Sequence, residues 1–354
     1  MKTKLTMILA AAAAVLHFAL PAHEARAGDS CKIAWSHYTG WEPFAYMADK
    51  GIMDKWAKKH GVSVTITLVN DYIESINQYT AGAFDGVAAT TMDALAIPAV
   101  GGVDTTVLII GDYSNGNDGI LIKDSASKAA GVKSLKGKDV MLVELSVSHY
   151  LLARALDVNG MTERDLKVIN TSDADIGALF SSGADGTAVV TWNPILMASR
   201  NEPGAHMVFD SSKIPGEIVD TLVVRTGMPE GCKMALVDAW YETMGVMSGR
   251  GQVSNDALSY MAKFAGSTLA EFQAQLNTTY MFYNPSDAVG FARGGLFKKT
   301  MDKVRRFSFD HGLFGHGAPS VDFVGIEFPD GSIMGDKGNV KFRFTTKYME
   351  AASK

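Results

Sequence analysis

Cysteine is nearly absent: only Cys31 and Cys232 occur among 354 residues. That excludes a disulfide-stapled scaffold and every zinc site built on paired Cys-x-x-Cys spacings. There is no surplus of positive charge, because 33 lysines plus arginines stand against 38 aspartates plus glutamates and the formal charge is −5. With no basic block either, the chain does not read as a nucleic-acid binder. Catalytic motifs are missing as well. Gly131 and Gly137-Lys138 are separated by five residues rather than the four of a phosphate loop, and Asp139 stands where a magnesium-binding hydroxyl belongs. Neither a Gly-x-Ser-x-Gly elbow nor a dinucleotide glycine fingerprint occurs, so neither an enzyme nor a resident cofactor or metal is expected.

What is present begins with an export signal expected over residues 1–27. Lys2 and Lys4 form a basic start, Thr6 to Leu20 an apolar stretch, and Ala25-Arg26-Ala27 a small-x-small cleavage site. The stretch falls short of the roughly twenty apolar residues that span a bilayer. Gly28-Asp29-Ser30-Cys31 is unlike a lipoprotein acceptor, so a free protein in the periplasm is expected. An oxidising compartment leaves Cys31 and Cys232 open to pairing or to remaining two buried thiols.

With 47% hydrophobic and 20% charged residues, the composition is that of an ordinary globular protein. Strand-like runs at 32–35, 62–69, 86–90 and 105–111 alternate with helical segments at 44–60, 71–80 and 92–100. The alternation predicts an α/β fold with mostly parallel sheets flanked by helices. Asp112 to Gly119 is the densest cluster of turn formers and predicts a crossover. The pattern then restarts, with strands at 120–123, 139–143, 165–170, 188–191 and 221–225, and Gly227-Met228-Pro229 predicts the return. The rest is mainly helical, with a capping box at Thr268 and Glu271 and a hairpin expected from 321–328 and 340–346. Two lobes follow: one from 28–116 and 229–354, the other from 117–228.

Several segments carry a resemblance. They are Trp41-Glu42-Pro43, Ala81-Gly82-Ala83-Phe84-Asp85-Gly86, Asn117-Asp118-Gly119-Ile120, Ser134-Leu135-Lys136-Gly137, and Ser148-His149-Tyr150 running on to Trp192-Asn193-Pro194. In this order they resemble the periplasmic receptors for nitrate, sulfonate, taurine and thiamine precursors, and are most similar to the subgroup associated with urea-carboxylase-type enzymes. The resemblance implies a two-lobed periplasmic binding fold of type II with a ligand cleft between the lobes. It also implies permease and ATPase partners in other chains, and a monomeric receptor.

Within such a fold the cleft candidates lie after the strands: Trp41 and Glu42, then Thr91, Met92 and Asp93, Asp112 and Tyr113, Glu144, Ser146 and His149, Trp192 and Asn193, and Asp220. His149 reads better as facing solvent or a packing neighbour. The set is acidic and aromatic and contains no lysine or arginine. Carboxylates accept paired N–H donors from a guanidinium, and aromatic faces attract its charge. Guanidinium is therefore the expected ligand, with urea next. The alternatives are an oxyanion receptor of the same family, for nitrate, sulfonate or taurine, and a thiamine-pyrimidine-related enzyme on the same fold.

Overall fold

A computed structural model describes residues 28–126 and 131–353. The expected export signal lies outside the described residues. Two sheets are built around central strands, at 86–90, 105–114, 118–123, 188–192 and 219–225, that are buried on both faces, while the outer strands are partly exposed.

The first four strands are β1 (Ser30–Trp35), β2 (Ser63–Leu68), β3 (Gly86–Thr90) and β4 (Thr105–Ser114). Helices α1 (Pro43–Asp49), α2 (Ile52–Lys59), α3 (Tyr72–Ala81) and α4 (Thr91–Ala94) connect them. The second sheet holds β5 (Asp118–Lys123), β6 (Asp139–Leu142), β7 (Lys167–Asn170), β8 (Ala188–Trp192) and β9 (Ala205–Asp210) in the order β7-β6-β8-β5-β9. Its helices are α5 (Val147–Val158), α6 (Asp173–Ser182) and α7 (Ile195–Arg200). The chain then returns to the first sheet through β10 (Val219–Arg225). It continues as α8 (Glu230–Ser248), α9 (Gln252–Phe264), α10 (Leu269–Leu276), β11 (Thr279–Met281), α11 (Pro285–Arg293) and α12 (Gly295–Asp310). Three short strands, β12 (Gly325–Glu327), β13 (Ile333–Met334) and β14 (Val340–Phe344), precede the last helix, α13 (Lys347–Ala352). The first sheet runs β13-β12-β14-β4-β10-β3-β1-β2, with β11 beside β4.

Local chemistry sets the helix starts. The Asp71 side chain accepts from the Glu74 N–H, Ser146 from Ser148 and Ser172 from Ala174, and Thr268 with Glu271 forms the expected capping box. Cys31 and Cys232 form a disulfide between fully buried positions, with their Cα atoms 6.5 Å apart. It ties β1 to the first turn of α8.

Three expectations are corrected. The sheets are mixed rather than mostly parallel: β10 is antiparallel to both β3 and β4, and β5 is antiparallel to both β8 and β9. The cause is the route of the chain. β5 and β10 each enter their sheet from the end where the sheets meet, without a helix to carry them to the far end first. The return also comes earlier than Gly227–Pro229, since β10 already pairs in the first sheet. Finally, β12 and β14 lie parallel rather than as a hairpin, and β13 pairs with β12 on its other side.

Candidate functional site

The C-terminal ends of β3, β4 and β8 and the N-terminal ends of β5 and β10 converge where the sheets meet. Register puts Asp220 of β10 opposite both Thr90 and Asp112, and Asp118 of β5 opposite Trp192 of β8. A small cavity of about 10 Å³ lies there. Its aromatic walls are Tyr38, Trp41, Tyr72 and Trp192, and Asp118, Asp220, Thr90 and Val147 complete it. The rings form a chain, with centroids 5.0 Å apart for Tyr38 and Trp41, 5.6 Å for Trp41 and Tyr72, and 5.4 Å for Tyr72 and Trp192. The Trp192 indole also donates to the His37 carbonyl at 3.0 Å, joining the second sheet to the loop after β1.

The polar atoms of this cavity are poorly matched with one another. One carboxylate oxygen each of Asp118, Asp220 and Asp112 (Oδ2 in all three) is buried without a donor to meet it, and Asp112 and Asp220 lie close enough to share a proton between them. Among the described residues no lysine or arginine lines the cavity. Burying a carboxylate without a cation favours its protonated form. Asp118 is accordingly pushed up to about 7 by burial, with a further contribution from the charge of Asp93. Burial raises Asp112 and Asp220 too. Asp220 also feels the charges of Asp112 and Asp118 and so holds its proton more firmly. Tyr38 donates to Asp112 at 2.7 Å. Gly40 leaves room for this contact, because a Cβ there would lie 2.2 Å from Asp112 Oδ2. The site can therefore take up positive charge: a cation with N–H donors would partner the carboxylates and present a flat face to the rings.

A larger open groove lies at the opposite end of β4, lined by Thr106, Lys233, Arg343 and Lys347 among others. Its cations are already engaged, Arg343 with Asp104 and Glu327, Lys347 with Glu230, and Lys233 with the Thr226 carbonyl.

The profile of the family described as NMT1/THI5 like matches residues 44–228, more than half of the chain and most of the cavity's framework. The chain belongs to the NMT1/THI5-like family. Comparison with curated protein sequences finds no match. Among solved structures, the fold is similar to the alkanesulfonate-binding protein SsuA from Xanthomonas axonopodis pv. citri bound to MOPS. The TM-score is 0.67 at 14% identity, covering 81% of this chain and 95% of that one. The periplasmic aliphatic sulphonate-binding protein SsuA from Escherichia coli gives 0.62 at 15% identity, covering 80% and 88%. The periplasmic nitrate-binding protein NrtA from Synechocystis PCC 6803 gives 0.58 at 11%, covering 92% and 98%. The fold of this NMT1/THI5-like chain is that of the periplasmic binding proteins. Among the described residues no helix is long and apolar enough to cross a membrane.

Ten of the thirteen cleft candidates of this NMT1/THI5-like protein separate into layers; of the other three, Met92 and His149 are buried and Tyr113 stacks on Tyr280, and none lines the cavity. Trp41, Trp192 and Asp220 line the cavity. Asp112 stands behind Tyr38, and Asp93 behind Tyr72, whose hydroxyl donates to Asp93 Oδ2 at 2.7 Å. Burial raises Asp93 to about 6, against the hydrogen bonds it accepts from Tyr72 and its neighbours. Glu42 is fully buried but turns to His37, whose Nδ1 lies 2.7 Å from its Oε1. Thr91 is fully buried with Oγ1 unpartnered. Ser146 caps α5 and donates to the Val143 carbonyl at 2.6 Å. Asn193 Nδ2 donates to Asn117 Oδ1 between the ends of β8 and β5. Glu144 is exposed and does not reach the cavity. The chain turns there, with Leu145 at φ 59°, and the His149 ring accepts the Leu145 N–H at 3.0 Å, so the Glu144 side chain stays in solvent.

Tyr38, Tyr72, Thr90, Asp118 and Val147 line the cavity but are absent from the sequence-based set. The same strand-end rule could have found Tyr38 and Tyr72, in the loops after β1 and β2, and Thr90, which closes β3. Asp118 opens its strand rather than ending it, and no local signal distinguishes it from a turn residue.

Proposed function

We propose that the chain is the solute receptor of an ABC importer, holding a small planar cation, with guanidinium as the ligand, between two lobes built on the two sheets. The observation that carries this reading is the buried pair Asp118 and Asp220, one from each sheet, whose Oδ2 atoms no donor meets, in an aromatic cavity that no basic residue lines among the described residues. A cation held by both carboxylates joins the sheets, which couples capture to closure. Such a receptor works with permease and ATPase chains and performs no chemistry itself.

Two other ligands have specific support. Trp41 Nε1 is a buried donor without a partner, which suits the carbonyl of urea. The structural neighbours named for alkanesulfonates and nitrate support an oxyanion. Titration calorimetry and thermal melting with guanidinium, urea, nitrate, methanesulfonate and a thiamine pyrimidine at equal ionic strength decide among them. At a hundred times its dissociation constant the true ligand stabilises the fold by about 2.7 kcal/mol. A response to guanidinium upholds the proposal. A response to nitrate or methanesulfonate alone sinks it.

A further inference from the structure

A helix N-terminus inside a cleft attracts anions, because its first N–H groups lack intrahelical partners and the helix dipole is positive there. In this protein the twelve-residue helix α5 brings Val147 to the cavity wall. The terminus is engaged from within: the Val147 N–H donates to Asp93 Oδ2 at 3.2 Å, and the same oxygen accepts from Tyr72 at 2.7 Å. Asp93 belongs to α4 of the first sheet's half and α5 to the second's, so the contact crosses the cleft. Two further hydroxyls in these two helix starts, Ser148 Oγ and Thr91 Oγ1, are fully buried without partners. The charge of Asp93 also reaches Asp118, which it raises.

We propose that Asp93 is a built-in anion that sets the sign of the ligand. Its carboxylate takes the place an oxyanion would occupy on α5, so the cleft refuses anions and keeps its remaining carboxylates for a cation. Asp93 is thus a specificity-determining residue that need not touch the ligand. The inference rests on the cation reading above but predicts something separate, namely what the cleft binds when Asp93 loses its charge.

The test is calorimetry on the full chain, wild type, Asp93→Ala and Asp93→Asn, with nitrate and methanesulfonate at about pH 6.5, between the values of Asp93 and Asp118. Guanidinium is titrated separately at about pH 8, where Asp118 is ionised. Asp93→Ala, which vacates that place, is expected to gain at least about tenfold in affinity for one of the anions, and Asp93→Asn, which removes the charge but leaves an acceptor on the Val147 N–H, a smaller gain. Asp93→Asn keeps an acceptor for Tyr72 and Val147, so it preserves the local packing should the alanine variant melt early. Adding Val147→Pro removes the freed N–H at the first helical position, where proline is well tolerated and Ser146 already has an extended backbone. The gained anion affinity should then vanish. If wild type binds guanidinium but folded Asp93→Asn and Asp93→Ala remain blind to both anions, the role of Asp93 is refuted while the cation reading stands. If wild type itself binds nitrate or methanesulfonate with Asp93 in place, both fall. A gain that survives Val147→Pro would put the anion elsewhere and overturn the assignment.

Discussion

Acidification should release the ligand, and the carboxylate of Asp118 sets how steeply. Its buried Oδ2 has no partner and burial holds its pKa at about 7. Only the ionised form attracts guanidinium, so the affinity follows the ionised fraction, about nine-tenths at pH 8 and one-hundredth at pH 5. Asp118 alone therefore predicts a loss of about two orders of magnitude, or about 3 kcal/mol, between those values. Asp112, Asp220 and Asp93, also raised by burial, deepen the loss. Urea is neutral and should lose far less, because a protonated carboxyl can donate to its carbonyl. The unliganded fold responds in the opposite sense. A carboxyl whose pKa is raised on folding binds more protons in the folded state, so its stability contribution grows as the pH falls from about 7 toward 4. For Asp118 that gain is about 4 kcal/mol. Calorimetry at constant ionic strength across this range is the assay, with Asp118→Asn as the control that should flatten much of the dependence. A guanidinium affinity that holds constant from pH 8 to pH 5 would refute the assignment of Asp118 as an ionised partner.

Three further outcomes are expected. Glu144→Gln should change guanidinium affinity less than about twofold, as an exposed substitution away from the cavity typically does; a large loss in calorimetry would mean that this side chain does reach the ligand. Replacing Cys31 and Cys232 together by serine opens a constraint spanning 201 residues of sequence separation, which chain entropy values at up to about 5 kcal/mol; urea unfolding should show a lower midpoint, and an unchanged one would contradict the bond's stabilising role. Gly40→Ala drives a Cβ against Asp112 Oδ2 at 2.2 Å and the Tyr38 ring at 2.6 Å. It should cost about 1–3 kcal/mol by overpacking, read as a lower melting temperature together with weaker ligand binding.

The sequence by itself determined the features that depend on near neighbours along the chain. Alternating apolar runs and helix caps give an α/β architecture because side-chain period and capping act within one or two turns. The rule that ligands lie beyond strand ends located Trp41 and Trp192 for the same reason, Asp220 was named although it lies at the start of its strand, and the shortage of cationic candidates was legible directly. Tertiary structure decided what depends on distant partners. Asp112 meets Tyr38 across 74 positions of sequence, and Asp93 meets Val147 across 54. No local pattern encodes such contacts. Glu144 looked equivalent to these aspartates until the turn at Leu145 left it in solvent. The direction of β10, the parallel pairing of β12 with β14 and the union of Cys31 with Cys232 were likewise settled by where the chain re-enters the first sheet and which edges it finds there. Burial then raised the carboxyls, because desolvation depends on what the whole fold packs around a group rather than on its neighbours in sequence.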